Sequence, residues 1–218
     1  ACRKKRRKLE QFAGGRGVAA GDLASKRDIA SLALLFERDG RYAGFVKHYL
    51  PEAQIEEGGN TRYKAWHADG WITATQGNVL DYQFIEDDLA DIKSRFELAD
   101  LAYDPFQATQ FATRMMGEGF PVTEFGQTVK NFSEPMKELE AWILRKVIDF
   151  EFDPVLMWMF GNVVAKLDAK DNIFPRKERR EANIDGVVAL IMCVGRMLFM
   201  HEEVNPYDTG ELFSVDLN

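Results

Sequence analysis

Two cysteines in 218 residues are too few for a disulfide framework, and Cys193 lies inside an apolar stretch. A reducing, cytosolic setting is therefore expected. No apolar run approaches the roughly 20 residues that a membrane-spanning helix needs. The longest, VVALIMCVGRMLFM (187–200), is interrupted by Arg196 and reads as a buried core helix. The three histidines, His48, His67 and His201, show no zinc-type spacing with either cysteine, and no H-E-x-x-H occurs, so all three read as structural. Ser25 and Ser133 have no histidine partner in any recognisable nucleophile motif, which leaves acyl-transfer chemistry without support. A basic excess is also missing. Lys and Arg total 28 against 35 Asp and Glu, a net charge of −7. That balance argues against nucleic acid bound over the whole surface, but it leaves room for a local basic groove.

What is present is a regular pattern with basic punctuation. Residues 1–16 are basic and then Gly-rich, and read as a linker or arm. No continuous apolar segment follows RKKRRK, so it is not a secretory signal. The chain starts Ala-Cys without methionine, as expected of a piece of a longer protein. From residue 17 to 218 a single domain is expected. GVAAGDLA and DIASLALLFERDG read as strands joined at Ser25–Arg27, and RYAGFVKHYLP as a third strand after an Asp39-Gly40 turn. Residues 51–70 suggest a loop with a short helix near Tyr63–Ala68, and WITAT a small extra strand.

After that the rhythm becomes strand-helix. Asp81 can cap a helix carrying Ile85, Leu89, Ile92 and Phe96 at helical spacing. LADLAY is a strand, and Asp104 and Pro105 open a helix as N-cap and first helical residue. FPVTEFG is a strand, Ser133 is the expected cap of EPMKELEAWILRKV, a hairpin is expected around Ala169–Asn172, and the last helix starts near Asp185. An antiparallel meander followed by parallel strands predicts an α/β domain, one mixed sheet flanked by helices, as in the ribonuclease H-like fold.

Asp22, Asp104 and Asp185 each adjoin a strongly apolar element. Asp104 and Asp185 have an ordinary reading as helix caps. Asp22 is harder to explain that way, because aspartate is depleted inside strands. If the first and fourth strands are parallel neighbours, Asp22 and Asp104 emerge at one end of the sheet, and a helix packed across it can add Asp185. Carboxylates forced together repel unless cations neutralise them. Mg²⁺ or Mn²⁺ suits oxygen ligands, and two such ions about 3.5–4 Å apart can activate water for phosphodiester cleavage. PRKERR (175–180) brings Arg176, Lys177, Arg179 and Arg180 just before Asp185, as a phosphate clamp or a solvated loop; Lys130 and Lys166 are further candidates for DNA contact. Trp66, Trp71, Trp142 and Trp158 sit in apolar contexts and read as core.

Six segments in order resemble the nuclease domain of tailed-phage terminase large subunits: GDLASKRDIASLALLF (21–36), GWITATQGNVLDY (70–82), LAYDPFQATQF (101–111), FSEPMKELE (132–140), DPVLMWMFGNVVAKLDAKDNIFP (153–175) and NIDGVVALIMCVGR (183–196). The resemblance implies a ribonuclease H-like, divalent-metal-dependent endonuclease that cuts concatemeric viral DNA during packaging, with two Mg²⁺ or Mn²⁺ ions held by Asp22, Asp104 and Asp185. It gives Asp28 a secondary or structural role. It implies double-stranded DNA as substrate, the host cytoplasm as location and no membrane, with an N-terminal packaging ATPase domain, portal and small terminase subunit as companions of the full-length protein. No G-x-x-x-x-G-K-[ST] phosphate loop occurs here, so that ATPase is not in this sequence. The acidic DFEFDP (149–154) departs from the family pattern, and no DNA contact is assigned to it. The rival readings are another ribonuclease H-like nuclease, such as a junction resolvase or hybrid nuclease, and a non-catalytic module that docks on the packaging motor.

Overall fold

A computed structural model describes residues 8–23 and 27–203. Strands β1 (Arg16–Asp22), β2 (Ala30–Arg38) and β3 (Arg41–Pro51) form the antiparallel meander. Asp39 and Gly40 both take positive φ, 54° and 68°. That is the two-residue turn whose twist matches paired strands, and the ladder runs up to Arg38 opposite Arg41. Residues 24–26, most of the link expected at Ser25–Arg27, lie outside the described residues.

Helices α1 (Glu52–Glu56) and α2 (Thr61–Ala68) follow, then β4 (Ile72–Thr75), which is the WITAT strand and pairs parallel to β3. Helix α3 (Gln83–Arg95) buries Ile85, Leu89 and Ile92, and the Asp81 carboxylate accepts the Gln83 N–H at 3.0 Å. Strand β5 (Glu97–Tyr103) runs parallel to β1, helix α4 (Pro105–Gly117) returns, and β6 (Val122–Glu124) pairs parallel to β5. Next come α5 (Val129–Arg145), β7 (Ile148–Phe150), α6 (Pro154–Asn162), the hairpin β8 (Val163–Leu167) and β9 (Ile173–Lys177), and α7 (Asp185–Glu203). The main sheet has order β4-β3-β2-β1-β5-β6, with β7 paired to the first residues of β3. Asp168 makes the hairpin turn: its Oδ1 accepts the Lys170 and Asn172 N–H groups at 2.7 and 3.0 Å.

Three details differ from the sequence expectation. Helix α5 starts four residues before Ser133, where the Thr128 hydroxyl accepts the Asn131 N–H. The Ser133 hydroxyl instead accepts the Ile173 N–H at 3.1 Å and ties α5 to β9. Pro135 consequently lies inside the helix, its ring against Gly195 of α7. Second, the expected arm is anchored at Phe12: Leu9–Phe12 form a 3-10 turn and Phe12 is buried, its ring 5.4 Å from that of Phe36. Residues 1–7 lie outside the described residues. Third, β7 is only three residues long and leaves no periodicity to read.

Strand alternation splits the core into two faces. Val18, Ala20, Ala33 and Leu35 face α5, α6 and α7. Ala19, Leu32, Leu34 and Phe36 face the α3 and α4 side. Trp142 is buried, stacked on Tyr42 with ring centroids 3.6 Å apart, while Trp66, Trp71 and Trp158 are half-buried against the same core. Among the described residues no helix is long and apolar enough to cross a membrane.

Helix α7 crosses the sheet with a half-buried cation, Arg196, paired to the buried Asp100 of β5. Among the described residues the other carboxylate oxygen of Asp100 has no hydrogen-bond partner. Removing the guanidinium would leave a buried charge with no compensation, at a cost of about 3–5 kcal/mol. Arg196→Ala is expected to lower the urea midpoint accordingly, and Arg196→Met with Asp100→Leu to recover most of it.

Candidate metal centre

The parallel pairing of β1 and β5 places Gly21 opposite Tyr103. The next residue of each strand is Asp22 or Asp104, so both carboxylates emerge at the same, carboxyl edge of the sheet, the usual place for a site in sheets of this kind. Asp104 is held by its own helix: the side chain caps α4, its Oδ1 accepting the Phe106 N–H at 3.2 Å, and Pro105 fixes the first helical residue. Asp185 is the first residue of α7, which packs on β1 and β2. Asp22 and Asp185 are 7% and 3% exposed, while Asp104 is half-buried.

These carboxylates act on one another. Burial pushes Asp22 well above the usual carboxylate range, Asp185 and then Asp104 push further, and a 3.1 Å hydrogen bond from the Gln127 amide only partly opposes them. Burial also raises Asp185, with a contribution from Asp28; Lys177 opposes the shift on both residues. Asn183 lies between the two acids of the second pair. Its amide nitrogen is 3.3 Å from Asp28 Oδ1 and 3.4 Å from Asp185 Oδ2, and its own oxygen accepts the Tyr63 hydroxyl at 3.1 Å. The Asn162 amide donates to the Asn183 carbonyl and fixes that turn. Sequence reasoning passes over both amides: Gln127 lies in no motif, and Asn183, though it opens the NIDGVVALIMCVGR segment, is a neutral side chain beside the more conspicuous Asp185.

Of the basic candidates, Lys177 at the end of β9 is the one whose charge acts on both buried acids. Arg176 extends over the Phe174 ring at 5.6 Å. Arg179 and Arg180 are exposed in the turn after β9, Lys166 is exposed on β8, and Lys130 is exposed in the first turn of α5. His48 is buried between Ser31 and Asp153, and His67 and His201 are exposed, none of them beside the carboxylates in sequence.

Among the described residues no three His, Cys, Asp or Glu side chains are set close enough to ligate one ion. The donor set nonetheless fits magnesium or manganese. All the candidate ligands are hard oxygens, and Mg²⁺ keeps several waters and takes one or two carboxylates rather than a closed protein cage. The crowded charge is what a divalent cation would relieve. Two cavities, of about 580 and 450 Å³, open elsewhere: one around the Glu86–Arg114 ion pair between α3 and α4, the other beside Leu34, Phe45 and Lys47.

Residues 8–202 match the family model described as the terminase large subunit, endonuclease domain. The chain is similar to protein YmfN of Escherichia coli strain K12, 32% identical over 228 residues, covering 98% of this chain and 50% of that protein. It is 31% identical over 180 residues to the terminase large subunit of Enterobacteria phage HK97, covering 80% of this chain and 36% of that one. The chain thus spans half or less of these curated relatives. The crystal structure of the HK97 large terminase superposes with a TM-score of 0.78 at 30% identity, over 85% of this chain and 40% of that one. The large terminase nuclease of thermophilic phage G20c with bound magnesium gives 0.57 at 12% identity, over 84% and 82%, a likeness of fold. The mixed sheet is the ribonuclease H-like arrangement expected from the sequence.

The raised state of Asp22 has a consequence for stability. A carboxyl raised on folding makes the folded chain bind the extra proton, so stability falls as pH climbs from the ordinary carboxylate value through the raised one. Asp22→Asn cannot ionise. It is expected to melt at a higher temperature than the parent at pH 8 in EDTA, with the gain shrinking toward pH 4. Mn²⁺ is expected to raise the parent's melting temperature and close that gap. A variant less stable than the parent at pH 8 would contradict the crowding.

Proposed function

The chain belongs to the family of terminase large subunit endonuclease domains, and on that premise we propose that it hydrolyses phosphodiester bonds of double-stranded DNA, cutting concatemeric viral DNA as genomes are packaged. The observation that carries the proposal is that Asp22 and Asp104 follow paired positions of β1 and β5, while Asp185 and Asp104 both raise the buried Asp22. Members of the same fold are seen with magnesium and with cobalt in the phage G20c nuclease, which supports a divalent-ion site here. When bound, two Mg²⁺ or Mn²⁺ ions would supply positive charge for the scissile phosphate and lower the pKa of the attacking water.

The chain's own residues divide the remaining work. Asp22 and Asp185 offer buried oxygens whose charge Lys177 only partly offsets. Asp104 offers its carboxylate from a rigid strand end, so its position does not depend on a mobile loop. Asn183 holds Asp28 and Asp185 at a fixed separation, which gives Asp28 a supporting role. Lys177 places a cation beside the same acids, where it can meet a phosphate. Arg176, Arg179, Arg180, Lys166 and Lys130 are the candidates for contacts with the backbone of flanking DNA, which position the duplex without reading its sequence. In the full-length protein the packaging ATPase domain, portal and small subunit would deliver that DNA, in the host cytoplasm.

Nicking of supercoiled plasmid in Mn²⁺ tests this reading. The parent is expected to nick and linearise the plasmid, and Asp104→Ala to leave it intact. Lys177→Ala is expected to weaken duplex binding and to reduce the slope of log affinity against log salt by about 1. A parent that leaves plasmid untouched in every divalent ion would favour the non-catalytic docking module. Selective cleavage of four-way junctions or RNA–DNA hybrids would favour the other nucleases.

A further inference from the structure

The polar side chains beneath the start of α7 form a row across the sheet. Asp22 of β1 pairs with Ser31 of β2, and Ser31 pairs with His48 of β3, so the three side chains stand on one face. Ser31, His48 and Asp153 are 0%, 1% and 5% exposed. The Ser31 hydroxyl and His48 Nδ1 are 2.9 Å apart, and His48 Nε2 is 2.9 Å from Asp153 Oδ2. The other oxygen of Asp153 caps α6, accepting the Val155 and Leu156 N–H groups at 2.8 and 3.0 Å. A Ser-His-Asp row suggests a nucleophile, but a fully buried Ser31 meets no substrate. The ring itself is clamped, with Cε1 only 2.9 Å from where a Cβ on Gly186 would stand.

Proton counting gives the row a direction. A carboxylate only accepts, so the proton on His48 Nε2 points to Asp153. With the ring proton on Nε2, Nδ1 is left as the acceptor for the Ser31 hydroxyl. A hydroxyl has one proton to give. Ser31 therefore has none for Asp22, its cross-strand neighbour, and among the described residues the hydrogen bond to the Asp22 side chain comes from Gln127. A donor at Asp22 would compete with a cation for the same lone pairs.

We propose that Asp153 is a positioning residue for the carboxylate site: acting through His48, it turns the Ser31 proton away from Asp22 and keeps that carboxylate open to a divalent ion. The inference rests on the metal reading of the site given above. Asp153→Asn separates the roles, because an asparagine oxygen can still cap α6 while its NH₂ faces His48 Nε2. The ring proton then moves to Nδ1, the ring donates to Ser31, and the hydroxyl proton is released toward Asp22.

Mn²⁺ titration followed by electron paramagnetic resonance, below the melting temperature of every variant, reads the result. Asp153→Asn is expected to bind Mn²⁺ about 10-fold more weakly, the scale found when a supporting partner of a metal ligand is changed. Imidazole ¹⁵N shifts are expected to show the Nε2–H tautomer in the parent and Nδ1–H in the variant. Asp153→Asn with Ser31→Ala, which has no hydroxyl proton to release, is expected to recover most of the affinity. A merely structural Asp153 predicts the reverse, further loss in the double variant. Parent-like Mn²⁺ binding by Asp153→Asn, an Nδ1–H ring in the parent, or no recovery in the double variant would each overturn the proposal. A parent that binds no Mn²⁺ would instead remove the metal reading and this inference with it.

Discussion

Crowding of like charge in a dry corner of the sheet is the constraint on which the rest of the site depends. Asp22 and Asp185 are buried, burial raises both, and the charge of Asp185 raises Asp22 further. Such an arrangement weakens the fold unless other elements hold it in place. The holding is distributed. Asn183 spans Asp28 and Asp185, Gln127 reaches Asp22 from the loop before α5, and Lys177 brings the nearby cation from a separate hairpin. Separate parts of the chain converge on one edge, so the corner works as a junction of the fold.

Helix α7 is the element that makes this junction rigid. Near one end Arg196 pairs with Asp100 of β5, and Gly195 lets the backbone approach Phe125 and Pro135 closely. At the other end the Gly186 N–H donates to the Met159 sulfur at 3.2 Å, and the same glycine lies against His48. With both ends anchored, the carboxylate of Asp185 is delivered by a buried helix rather than by the exposed turn just before it. The buried Ser31–His48–Asp153 row lies under that anchor and joins β2 and β3 to the start of α6.

How much of this was legible depended on distance in sequence. Asp22 was visible because aspartate inside an apolar strand breaks the local rule, and Asp104-Pro105 because cap and first helical residue adjoin. The Asp39-Gly40 turn and the Asp168 hairpin are short-range devices and were read without the fold. Ser133 misled because Ser before Glu-Pro has the local form of a helix start, whereas burial against β9 recruited its hydroxyl elsewhere. His48 carried no signal: its partners lie 17 and 105 residues away. The same holds for Asn183, whose bond to Asp28 spans 155 residues.

The sequence by itself determined the alternation of elements, the strand ends where carboxylates sit, and the order of segments that marks the family. These follow from periodicity, turn chemistry and capping, each set within a few residues of chain. Only the tertiary structure decided which carboxylates share a field, that the charge of Lys177 bears on both buried acids, and that Ser31, His48 and Asp153 form one buried row. Those outcomes depend on strand pairing and helix packing between distant residues, and on the loss of water that makes a nearby charge strong.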